Sequence, residues 1–180
     1  METILRFWFE EIDRNRWFAK DVAFDDTIRV RFEDIYRDAV SGALDAWRSS
    51  GRGCVATCIV LDQFPRNMYR NRPEAYASDE LALAVTRYAL ERGLDLEEGI
   101  GSDFRHFLYM PLMHSERLTD QQQCVELIRT RMNDGKVLRY AEQHLSVIER
   151  FGRFPHRNSI LGRGSTSEEL YFLESPDAHF

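Results

Sequence analysis

DDTIRVRFEDIYRDAVSGALDAW, residues 25–47, decides the fold class. Ile28, Phe32, Ile35, Tyr36, Ala39, Ala43 and Trp47 recur at three- to four-residue spacing, with charged residues between them. That is one apolar stripe along a long helix. Asp25-Asp26-Thr27 reads as its start, and Gly51 and Gly53 as its end. Working outward, a second helix is expected over about 54–64, apolar on most sides and so central, with Pro65 stopping it. Ser78-Asp79-Glu80 opens a third, which carries Leu81, Ala82, Val85, Tyr88 and Ala89 and has Gly93 as its C′ residue. A fourth covers about 102–109 and meets Pro111. A fifth, capped by Thr119, carries Val125, Ile128 and Met132 and breaks at Asn133-Asp134-Gly135. A sixth covers about 137–151, and the capping-box pair Thr166 and Glu169 announces a short last helix. Alternation of period two never persists beyond a few residues. The expected architecture is all-α, stacked antiparallel helices joined by short connections, in one domain over 1–180.

Composition narrows the function classes. Of 180 residues, 43% are apolar and 30% charged, and the formal net charge is −6. An acidic molecule is not drawn to nucleic acid or to anionic lipid, so neither is an expected partner. The longest apolar run, about 54–61, is far short of a bilayer span. The first dozen residues lack a basic segment followed by an apolar one, so no secretory leader is expected. Three cysteines cannot form a closed disulfide set, and Cys54 and Cys58 fall at i, i+4 as a pair of buried thiols. These features point to the cytoplasm. Only Lys20 and Lys136 are lysines among 24 basic residues. The arginine excess reflects either base composition of the genome or recognition of carboxylate and phosphate groups.

An internal echo locates the arginines that matter. Phe64-Pro65-Arg66-Asn67 recurs as Phe154-Pro155-His156-Arg157-Asn158, each followed by an acid-rich helix start. The spacing fits a duplicated helix–loop–helix unit over about 54–92 and 137–173. The first loop, residues 64–72, holds Arg66, Arg70 and Arg72 with no acid, and the second, residues 150–163, holds Arg150, Arg153, His156, Arg157 and Arg163 with no acid. Such charge needs an answer in anions. Either an anionic ligand supplies it, or internal carboxylates such as Asp62, Asp79, Glu116 or Glu149 do.

Further chemistry is sparse. His114-Ser115-Glu116 follows Pro111 and offers an imidazole, a hydroxyl and a carboxylate, residue types suited to proton transfer or equally to bridging helices. His106, His114, Glu116, His144 and His156 show no metal-ligand spacing, so no metal and no cofactor is expected. Ser115 lacks a nucleophile elbow, and the thiols sit in an apolar helix. Gly162-Arg163-Gly164-Ser165-Thr166 precedes a helix and suits a generic anion without Walker spacing. Phe7, Trp8, Phe9, Trp17 and Phe18 read as core or as a docking arm.

Asp62-Gln63-Phe64-Pro65-Arg66-Asn67, Met110-Pro111-Leu112-Met113-His114-Ser115-Glu116, and Phe151-Gly152-Arg153-Phe154-Pro155-His156-Arg157-Asn158 through Leu161-Gly162-Arg163 together resemble a bacterial family, the domain of unknown function numbered 924. Phe7-Trp8-Phe9 and Arg16-Trp17-Phe18 fit its start. The resemblance runs over nearly the whole chain. It implies an all-helical fold of the tetratricopeptide-like class and implies no activity. The residues themselves support two expectations. In the first, a basic pocket of Arg66, Asn67, Arg70, Ser115, Arg153, His156, Arg157, Asn158 and Arg163 holds a small carboxylate- or phosphate-bearing molecule. His114 and Glu116 would then move protons in a hydrolytic step. In the second, stacked helices clamp an acidic peptide. Oligomeric state is not set by the sequence.

Overall fold

The computed structural model describes residues 1–175, and among them every regular element is helical. Contacts divide the chain into two compact units, Met1–Arg70 with Glu74–Pro111, and Asn71–Pro73 with Leu112 onward.

The first unit is built on aromatics. Helix α1 (Glu2–Arg6) runs on into a π-helical turn, Phe7–Glu11. Phe7 and Trp8 are buried there, with ring centroids 4.7 Å between Phe7 and Phe32, and 5.7 Å between Trp8 and Phe64. The Trp17 indole N–H donates to the Trp8 carbonyl at 2.8 Å. Core packing is therefore the fate of these residues, except Phe18, which is 58% exposed. Helix α2 (Val22–Val40) starts earlier than the sequence pattern suggests, because the Asp21 carboxylate accepts from the Ala23 and Phe24 N–H groups. Its buried face is Phe24, Ile28, Phe32, Tyr36 and Ala39. Gly42, at φ 83°, follows its end, so Gly51 and Gly53 do not terminate it.

Those two glycines instead open α3 (Gly51–Cys58), where the Ser50 hydroxyl accepts from the Gly53 N–H. A π-helical turn, Ile59–Gln63, joins α3 without a break to α4 (Phe64–Met68). Pro65 was expected to stop the helix and does not. It lies inside this continuous run, and the widened turn before it makes room for the ring. The Phe64 N–H reaches the Ile59 carbonyl, five residues back. Helix α5 (Asp79–Glu91) is followed by left-handed Gly93, as expected. Ser78 precedes it but spends its hydroxyl on the Leu61 carbonyl, at 2.6 Å, and not on a cap. Helix α6 (Ser102–Met113) contains Pro111 in its last turn and so outruns its expected end.

In the second unit, α7 (Leu118–Arg131) and α8 (Gly135–Phe151) pack directly on each other. Asp134 caps α8 by accepting from the Lys136 and Val137 N–H groups, and Gly152 closes it at φ 67°. Arg117, not Thr119, is the N-cap position of α7. Val147, Ile148, Phe154 and Phe172 form the core against which Phe151 packs. Helix α9 (Ser167–Leu173) carries the expected capping box between Thr166 and Glu169. No helix among the described residues is long and apolar enough to cross a membrane.

The two Phe-Pro segments fall in different units and differ locally. Phe64-Pro65 opens an α-helical turn, whereas Phe154-Pro155 follows Gly152 into a 3₁₀ turn. They share one device: an arginine bonded to a carboxylate in the first turn of the next helix. Arg66 takes Asp79, and Arg153 takes Glu169.

Candidate functional site

In the first unit the basic loop is answered from within. Arg66 donates to both oxygens of Asp79 at 2.9 and 3.1 Å, and to the carbonyl of Asp62 at 2.6 Å. Asp62, 1% exposed, also lies 3.1 Å from Arg66. Asn67 and Arg70 share the Asp25 carboxylate, from α2, at 2.7–2.8 Å. Asp25 was read as a helix-start residue, and its role in holding this loop has no local sequence signal. The three side chains thus tie α4 to α2 and α5.

The second unit repeats this pattern and then adds something. Arg153 meets Glu169 at 2.6 and 2.9 Å, and Glu169 also accepts from the Thr166 N–H at 2.7 Å. Chiefly the Arg153 hydrogen bond, then the Thr166 N–H, hold the Glu169 carboxyl down at about 2. Arg163 meets Glu116 in a fork at 2.7 and 2.9 Å, and the Phe154 N–H donates to the same carboxylate at 2.8 Å. Burial pushes Glu116 up, but these bonds and the charges of Arg157 and Arg163 outweigh it, so its carboxyl lies below the ordinary range. A carboxylate in that state keeps no proton to exchange near neutral pH. Ser115 donates to Asp120 at 2.6 Å, and Asn158 donates to Ser165 at 3.0 Å. An acidic peptide would have to displace Asp79, Asp25, Glu169 or Glu116 to reach these arginines.

What the second unit adds is a group of imidazoles. Phe154 is fully buried, and its ring lies 5.6 Å from His144 and 5.5 Å from His156. The Arg157 guanidinium stands over the same ring at 4.6 Å. His114 lies 6.3 Å from His144, and the carbonyl of His114 accepts from Arg157 at 3.0 Å. His114 and His144 are half-buried, His156 is exposed and Arg157 is buried. The sequence places His114, His156 and Arg157 as candidates. His144, considered there only as a metal ligand, joins them because it lies on α8 one turn beyond Tyr140, whose carbonyl is 2.7 Å from its Nδ1. Gln121, fully buried, carries no local sequence signal of its role. Its amide donates to the Met113 and Ser115 carbonyls at 2.6 and 2.7 Å, which fixes the turn that carries His114.

Burial of the ring holds His144 at about 3, aided by the charges of His114, Arg157 and His156 and opposed by the Tyr140 carbonyl. An unfolded histidine takes up its proton near 6.5. Stability from this group is therefore complete above 6.5 and falls as pH drops towards 3. One such proton changes stability by at most about 1.4 kcal/mol per pH unit. We expect His144→Gln to flatten the stability profile between pH 6.5 and 4, as followed by urea midpoints. Identical slopes for both proteins would count against a neutral, shielded His144.

No group of three or more His, Cys, Asp or Glu among the described residues is arranged to hold a metal. Cys54, Cys58 and Cys124 are buried thiols outside any disulfide, and burial raises each well above the reactive range.

The molecule is thus an all-helical protein whose second unit collects imidazoles and a guanidinium around one buried phenylalanine. Over residues 4–177 it matches the family described as bacterial protein of unknown function, DUF924, and it belongs to that family. A solved protein of unknown function from Agrobacterium tumefaciens is 39% identical, with a TM-score of 0.90 over 96% of each chain. No curated protein matches the chain.

Proposed function

We propose that the second unit binds a small carboxylate- or phosphate-bearing molecule at His114, His144, His156 and Arg157. One observation carries the reading: His144, His156 and Arg157 meet around Phe154, with His114 beside His144, while the nearby carboxylate of Glu116 is held by Arg163. A guanidinium beside imidazoles that can gain a proton favours an anion over a cation at a partly exposed place. Arg153, Asn158 and Arg163 shape the site by fixing the loop, and Arg66, Asn67 and Arg70 serve the fold of the first unit. Should the bound molecule be hydrolysed, an imidazole is the group suited to proton transfer, since Glu116 is tied down. The three buried thiols suit a cytoplasmic setting.

A thermal-shift series with phosphate, acetate and malonate tests this. Ligand at a hundred times its dissociation constant stabilises by about 2.7 kcal/mol, roughly 5–10 °C for a chain of this size. His156→Ala removes an exposed member of the group, so it should leave the unliganded melting temperature unchanged and reduce the shift. A flat response across all three anions refutes the reading.

A further inference from the structure

Apolar surface borders the imidazoles and Arg157 from two segments of the second unit. On α8, Tyr140 precedes His144 by one turn, so both project from one helix face, with Cβ atoms about 5–6 Å apart. Helical side chains lean back over the preceding turn, and His144 does so, since its Nδ1 comes within 2.7 Å of the Tyr140 carbonyl. The imidazole therefore lies over the turn that bears Tyr140, a residue that is 43% exposed. In the loop after α8, the Leu161 N–H donates to the Arg157 carbonyl at 2.9 Å, which sets Leu161 one turn beyond Arg157. Leu161 is 37% exposed. A single exposed apolar side chain needs no explanation. Two that each stand one turn from a member of the same group give that group an apolar margin.

We propose that the ligand is an oxyanion borne on an aromatic ring, an aryl phosphate or an aromatic carboxylate, whose ring packs on the face of Tyr140. The inference rests on the small-anion reading above and adds the part of the molecule that the charges do not hold. The oxygens meet the imidazoles and Arg157, and the ring attached to them covers Tyr140 beside Leu161. Small-molecule sites are commonly built this way, with a few polar groups fixing orientation and apolar side chains receiving the rest. A tyrosine face takes a flat ring in offset-stacked or edge contact and gains more than the covered area alone would give. Tyr140 is then a specificity-determining residue, which selects among anions by what they carry.

Two pairs of probes test this, benzoate against acetate and phenyl phosphate against inorganic phosphate, titrated calorimetrically at pH 7. In each pair the aryl member should bind at least about fivefold more tightly. Tyr140→Ala should close that gap by weakening the aryl member. Tyr140→Phe, which keeps the ring, should keep the gap. Both variants should fold, since the position is exposed and both residues are tolerated in a helix. Tyr171→Ala removes a more exposed ring, on α9, and should leave the gap as it is. His156→Ala should weaken both members of a pair by the same factor. A gap that is absent from the wild type, or that survives Tyr140→Ala, overturns this inference and leaves the small-anion reading standing. Aryl binding that is indifferent to His156→Ala overturns it too, because the ring would then sit elsewhere. No binding by any of the four probes ends both.

Discussion

Gly53→Ala should lower the melting temperature by roughly 10 °C or more, a loss of about 4 kcal/mol or beyond for a chain of this length. A Cβ built at Gly53 would stand 1.7 Å from the Trp47 carbonyl oxygen and 2.6 Å from its carbon. Both are backbone atoms, so no rotamer change can clear them. The glycine is buried inside the first turn of α3, and the chain before it must pass this close to enter the helix. Ordinary overpacking costs about 1–3 kcal/mol because side chains can yield, and here they cannot. Gly51 is nearly as tight, 2.2 Å from the Leu94 carbonyl oxygen, so Gly51→Ala should behave alike. Gly101→Ala is the matched control: its Cβ would meet nothing within 4 Å, and stability should change by less than about 0.5 kcal/mol. Differential scanning calorimetry of the three variants checks the ranking. A Gly53→Ala chain that melts with the wild type would show that the approach of Trp47 is wrong.

Glu169→Gln should follow it, costing about 1.5–3 kcal/mol, because it takes the charge out of the hydrogen bonds that Arg153 makes. The carboxylate is 2% exposed and holds together two things at once, the Arg153 fork and the N-terminal cap of α9. The amide can still accept one of these bonds but cannot replace both oxygens. A pH signature separates this effect from generic damage. The folded carboxyl titrates near 2, whereas an unfolded glutamate titrates near 4.5. Its contribution is therefore present above 4.5 and is lost as pH falls towards 2. The wild type should lose stability across that window, and Glu169→Gln should lose less. Equal losses in both proteins would show that the carboxylate is not held down.

The helical class was legible because its signal is local. The stripe from Ile28 to Ala39, the Thr166–Glu169 box and Gly93 each depend on residues a turn apart. Helix boundaries failed where a longer-range effect decided them. Asp21 capped α2 from outside the apolar pattern, and the π turn before Pro65 let the backbone stay helical through a residue that ordinarily ends it. For the candidate site, residue types pointed to His114, His156 and Arg157, because a basic segment in an acidic chain stands out. Which carboxylate answers which arginine was not legible. Asp25 is 45 residues from Arg70 and Glu116 is 47 from Arg163, and nothing in a single sequence couples positions so far apart. His144 escaped for the same reason, since only packing of α8 brings it to Phe154.

The π turn at Ile59–Gln63 makes the length of this segment as consequential as its chemistry. Each residue advances a helix by about 100°, so one deletion there would rotate α4 by that amount relative to α3. Phe64 would swing out of the aromatic core, and Arg66 would lose its aim at Asp79. Homologues can therefore exchange side chains in this stretch far more readily than they can gain or lose a residue, and gap placement in an alignment across it should follow the backbone before the letters.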